Sequence, residues 1–145
     1  MIPHVLRCHE TGEVLDAGQV HYLSPTLGPT TPPGGCLRGV LEVEYDFAAA
    51  PRDLKARVES STHRGTRRFS ALLPIEREES LPPIEVGGTP LLDGGMWARR
   101  RGFTDVWFKD DGRNPSGSYK DRASELVVAK ARELGRDTVV AASTG

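Results

Sequence analysis

Cysteine is nearly absent from this chain: Cys8 and Cys36 are the only two in 145 residues, too few for a disulfide scaffold. Charge of one sign is missing as well, because 19 lysines and arginines face 20 aspartates and glutamates, for a net charge of −1. No global field therefore draws the protein to nucleic acid or anionic lipid. No apolar run reaches the ~18 residues of a membrane span. The stretch Met1-Ile2-Pro3-His4-Val5-Leu6-Arg7 lacks the basic start and apolar core of a secretion signal. A cytoplasmic protein with two reduced thiols is the expectation. What remains is ordinary for a globular chain, with 37% hydrophobic and 27% charged residues. The one basic cluster, Arg99-Arg100-Arg101, reads as the solvated end of a helix rather than a binding patch.

Two regions differ in texture. Residues 1–68 read as a small β-rich unit plus a linker, and 69–145 as the beginning of an α/β domain. In the first, 5–8 and 40–45 have the short apolar patterns of strands. Residues 24–35, rich in Pro, Thr and Gly, read as a loop, and Pro51 opens a short helix over 52–59. In the second, residues 69–75 form an apolar island, 98–102 a helix end stopped by Gly102, and 106–108 a buried strand. Ala123, Leu126, Val127, Ala131 and Leu134 recur at helical spacing and predict a helix over 119–134. Ser118 is placed to cap it, Asp121 completes a capping box, and Gly135 stops it. Residues 138–142 read as a fully buried strand, so strand, helix and strand predict a parallel βαβ unit with a right-handed crossover.

The helix lead-in carries the chemistry. Gly112-Arg113-Asn114-Pro115-Ser116-Gly117-Ser118-Tyr119-Lys120-Asp121-Arg122 is a turn-forming stretch that sets one lysine in the first helical turn. That turn offers unpaired N–H groups and the positive end of the helix dipole, which favour an anion or an electron-rich ring. An amine held there, partly desolvated and close to Arg122, would have a lowered pKa and act as a nucleophile. Asp121 and Arg122 point elsewhere around the helix and would fix the loop by ion pairs and hydrogen bonds. On its own, Ser-x-Lys is far more often the mark of a surface lysine behind a capping serine. A Walker-type phosphate loop is excluded, since no Gly-Lys-Ser/Thr order occurs.

Taken whole, residues 112–122 resemble the cofactor-lysine motif of the threonine synthase family, pyridoxal-phosphate enzymes of the tryptophan-synthase-β fold group. Three further segments match in order: Phe69-Ser70-Ala71-Leu72-Leu73-Pro74, Gly87-Gly88-Thr89-Pro90-Leu91 and Ala142-Ser143-Thr144-Gly145. The resemblance implies an α/β fold, the start of a fold-type II parallel sheet preceded by the β-rich unit. It implies pyridoxal 5′-phosphate as cofactor, bound covalently by Lys120, which would then move protons at Cα and Cβ of the substrate. Ser143 and Thr144 would receive the substrate carboxylate, with Asn114, Ser118, Asp121 and Arg122 supporting the loop. The reaction implied converts O-phospho-L-homoserine and water to L-threonine and phosphate. A small phosphorylated amino acid is thus the expected partner, with neither nucleic acid nor membrane, and a homodimer is compatible with the full-length enzyme.

Many relatives begin with a four-cysteine zinc ribbon, but here Thr11 stands where a second cysteine would follow Cys8, and Cys36 stands alone. Even with His21 the set falls short of four ligands, so no metal is expected. The segment from Leu6 to Val14 also resembles cysteate synthase, a sister enzyme acting on phosphoserine and sulfite. The cofactor-hydroxyl asparagine and the phosphate cup of the family would lie beyond Gly145. The expectation is therefore an inactive N-terminal portion of an enzyme, the alternative a short non-catalytic interaction module that kept the motif.

Overall fold

The computed structural model describes residues 2–19 and 22–141, which fall into two compact units, Met1–Leu54 and Lys55–Gly145. In the first, strands β1 (His4–Cys8), β2 (Val14–Leu15) and β3 (Leu41–Tyr45) form an antiparallel sheet in the order β2-β1-β3. Leu6 sits opposite both Leu15 and Val43, and Cys8 opposite Leu41. Gly12, at φ 72°, closes the β1–β2 hairpin with its N–H on the Cys8 carbonyl, a left-handed position where glycine is unstrained. The long 24–39 loop is fastened by acids of that hairpin. Glu13 accepts from the Ser24 hydroxyl at 2.6 Å, and Glu10 accepts from the Gly39 N–H at 2.6 Å and from Arg38. Ile2, Cys8 and Ser24 are fully enclosed.

The second unit contains α1 (Leu54–Ser60), a 3₁₀ segment Thr66–Leu72, strands β4 (Leu91–Asp93) and β5 (Trp107–Lys109), α2 (Gly95–Arg99) between them, and α3 (Asp121–Glu133). Its core joins Ile75, Leu81 and Ala129, with Leu73 and Leu126 packed against them. Two polar ties hold α3 there. Arg132 donates to the Ser80 carbonyl at 3.2 Å, and Glu133 accepts the backbone N–H groups of Glu76 (2.7 Å) and Arg77 (3.0 Å). Gly135, at φ 63°, ends the helix, as the sequence predicts. Among the described residues no helix is long and apolar enough to cross a membrane.

The parallel sheet expected from the sequence is not found. Among the described residues β5 pairs only with β4, and antiparallel: Leu91 faces Lys109, Leu92 faces Phe108, and Asp93 faces Trp107. Residues 138–141 form no strand, and Val139 and Val140 are 48% and 90% exposed; Ala142 lies outside the described residues. The observed architecture is α/β with antiparallel sheets and a small β-rich N-terminal unit. The physical reason is that an apolar run becomes a buried strand only beside a neighbour that takes its backbone hydrogen bonds and a layer that covers its faces. The apolar face of α3 also differs from the expected stripe. Glu125 and Ala129 are buried with Leu126 half-buried, while Ala123, Val127 and Leu134 are exposed, because the packing surface is the 73–81 segment.

Candidate functional site

β5 delivers the chain to a single 3₁₀ turn, Asp111–Arg113, and from there the motif runs to the head of α3. The motif is fastened to residues 87–89, another of the segments singled out in the sequence. Asn114, 5% exposed, accepts the Gly87 N–H on Oδ1 at 2.9 Å and donates from Nδ2 to the Asp111 carbonyl at 2.9 Å. Arg122 reaches back along the helix axis and grips the Asp111 carboxylate with two parallel bonds, Nε to Oδ2 at 3.0 Å and Nη2 to Oδ1 at 2.8 Å. The Thr89 hydroxyl donates to the same carboxylate at 2.6 Å. A planar guanidinium against a carboxylate in this forked geometry gives short, charge-assisted bonds. Both charges are held accordingly: Arg122 and then Thr89 keep the Asp111 carboxyl below the usual carboxylate range, and Asp111 raises Arg122.

Gly87 makes this passage possible. It sits at φ 81°, and a Cβ placed on it would lie 2.7 Å from Nη1 of Arg122. Asn114 therefore bonds directly to residue 87, and Arg122 bonds to the loop chiefly through Asp111. Asp121 works differently from the capping box. Its carboxylate accepts the Ser116 hydroxyl at 2.5 Å and the Ser116 N–H at 2.8 Å, which holds its carboxyl below the ordinary range and closes the loop from inside. The Ser118 hydroxyl accepts the Lys120 N–H at 3.2 Å, a turn ahead of the helix proper.

Lys120 is exposed, and among the described residues its ammonium makes no hydrogen bond or ion pair. The neighbouring positive charge of Arg122 is already matched by Asp111. An unengaged amine on a braced turn fits the demand of an aldehyde cofactor, which needs one nucleophilic amine in reach and no competing partner for it. Ser143 and Thr144 lie outside the described residues, as does His21. Cys8 is buried and Cys36 exposed, and among the described residues no three His, Cys, Asp or Glu side chains gather as a metal site.

Sequence reasoning missed Asp111, Thr89, Gly87 and Glu125. An acidic pair, Asp110-Asp111, just before a turn that leads to an arginine was the available signal for the first. Glu125 had none. It lies on α3 one turn beyond Arg122, 4% exposed, with Oε2 enclosed and without a partner. Thr66 is its hydrogen-bonding neighbour, yet the Thr66 hydroxyl gives its single proton to the Val86 carbonyl at 3.2 Å. Burial is the largest influence and raises the Glu125 carboxyl above the usual range, with Glu85 adding to the rise and Thr66, Arg67 and Arg122 opposing it.

Residues 83–145 match the family described as "Pyridoxal-phosphate dependent enzyme". The chain is 40% identical over 141 residues to threonine synthase of Methanosarcina acetivorans, covering 97% of this chain and 31% of that protein. It is 32% identical over 143 residues to threonine synthase of Methanocaldococcus jannaschii, covering 96% and 32%. Threonine synthase of Synechocystis sp. is 39% identical over 78 residues, 53% of this chain and 20% of that protein. The chain thus spans about a third of the length of the first two relatives. No solved structure matches it. The match to the family covers the braced lysine turn, and the chain belongs with the pyridoxal-phosphate-dependent enzymes of threonine-synthase type.

Proposed function

We propose that Lys120 is the cofactor lysine of an enzyme that converts O-phospho-L-homoserine and water to L-threonine and phosphate. The observation that carries this reading is an amine without a partner, on a turn bonded from Asn114 and Arg122 to residues 87–89. Pyridoxal 5′-phosphate, when bound, supplies the electron sink. The part of this chain is to hold it through Lys120 and then to use the same amine to carry protons at Cα and Cβ of the substrate. Asn114, Ser118, Asp121 and Arg122 keep the turn in place while the amine works. Ser143 and Thr144 would receive the substrate carboxylate through hydroxyls and backbone N–H groups.

The test is direct, because the chain has only four lysines, Lys55, Lys109, Lys120 and Lys130. Purified chain is mixed with pyridoxal phosphate, reduced with borohydride and mapped by peptide mass spectrometry. Label concentrated on Lys120, and lost in Lys120→Ala, is the expected result. Label shared evenly among the four would refute the claim that this chain alone holds the cofactor at Lys120. The substrate is decided by assaying phosphate release from O-phosphohomoserine against phosphoserine, using a protein extended to the length of the relatives.

A further inference from the structure

Asp111 bonds to Thr89, Asn114 and Arg122 at once, and the helix does not depend on it for its packing. α3 is anchored at its other end, through Ala129 in the core, Arg132 on the Ser80 carbonyl and Glu133 on the backbone of residues 76 and 77. The head of the helix has no such apolar anchor: Ala123 and Ser124 are exposed and Asp121 and Arg122 only half-buried. What holds it is the Asp111 carboxylate, which takes two N–H groups of Arg122 and the hydroxyl of Thr89, itself 6% exposed. The Asp111 carbonyl in turn takes the side-chain amide of Asn114, whose other end holds Gly87. One residue therefore links the stretch before the turn, the segment 87–89 and the helix behind the turn.

Resting on the reading of Lys120 as the cofactor lysine, we infer that Asp111 is the positioning residue of that lysine. It acts twice. It sets the helix head at a fixed offset from residues 87–89, and so fixes where the Lys120 amine can reach. It also occupies the guanidinium of Arg122, two residues along, so that this cation is not free to compete with Lys120 for the anionic cofactor. Loss of the carboxylate would release both constraints at once, and leave the packed half of α3 as it is.

The test compares Asp111→Asn and Asp111→Glu with the natural chain in two measurements. The first is amide hydrogen exchange, which needs no cofactor. In Asp111→Asn, residues 87–89 and 116–122 exchange about tenfold faster or more, the loss of one charge-assisted bond being worth that factor, while residues 126–134 keep their protection. The second is the share of borohydride-fixed pyridoxal phosphate on Lys120 among the four lysines, which falls in Asp111→Asn and recovers in Asp111→Glu. Unchanged exchange at 116–122, or equal acceleration along all of α3, overturns the inference, as does a loosened turn with undiminished labelling of Lys120. If Asp111→Asn does not fold, Thr89→Val decides: it removes the hydroxyl bonded to both Asp111 and Arg122 and keeps the ion pair, with the same two shifts expected at smaller size and their absence again overturning the inference. A natural chain that labels its lysines evenly counts against the cofactor-lysine reading, whereas the exchange measurement still judges the link made by Asp111.

Discussion

Replacing Glu125 with glutamine should stabilise the protein at neutral and alkaline pH, and the gain should vanish in mild acid. Glu125 is 4% exposed, and one of its oxygens is enclosed without a partner. Burial raises its carboxyl in the folded chain, so the folded state keeps the proton to a higher pH than the unfolded state. Between the two titrations the folded chain binds more protons, and stability falls as pH rises from the ordinary glutamate range through the raised one. Above both, the penalty is complete. An enclosed polar atom without a partner costs about 1–3 kcal/mol. In a domain of this size each kcal/mol shifts the melting temperature by about 4–8 °C. Glu125→Gln, neutral at every pH, should therefore melt higher than the natural chain by at least a few degrees at about pH 8, and the two should converge at about pH 3, below the ordinary glutamate range. Melting followed by circular dichroism at both pH values checks this. A difference of equal size at the two values would refute the picture of a buried acid whose carboxyl is raised by burial.

Gly87→Ala should destabilise by about 1–2 kcal/mol from the left-handed backbone alone, with a further loss because its methyl would lie 2.7 Å from Nη1 of Arg122. Since Asp111 is held ionised by Arg122, the natural chain loses stability as pH falls below the ordinary aspartate range, and Gly87→Ala, with that grip loosened, should lose less there. Melting temperatures between about pH 5 and pH 2 measure both effects. Iodoacetamide should modify exposed Cys36 in the native protein and reach buried Cys8 only after unfolding, as read by peptide mass spectrometry; comparable native rates would refute the burial of Cys8.

The motif and its helix were legible because their signals are local. Glycine at the stop, polar residues in the lead-in and apolar spacing each act within a few residues, and α3 begins two residues from the expected start and ends one residue early. The parallel strand was not legible, because the run around Val139 and Val140 specifies an apolar segment and leaves its partner unstated. Which face of α3 turns inward was hidden for the same kind of reason: Ala129 meets Ile75 and Leu81 from far along the chain. Asp111 could not be paired with Thr89 and Arg122 from sequence, since any acid near a turn has several bases in reach. Glu125 was the hardest, as a charged residue at a helical position reads as solvent-facing until packing encloses it.

The ties around the lysine turn join residues close together in the chain: Asp111 to Arg122 across 11 positions, Thr89 to Asp111 across 22, Gly87 to Asn114 across 27 and Thr89 to Arg122 across 33. Loop-closure entropy grows only logarithmically with such separations, about 0.6 kcal/mol for each doubling. Contacts of this reach form early and fast compared with pairings that span a whole domain. The seat of the amine is therefore drawn from residues 87–122 alone, with no pairing needed across the whole domain.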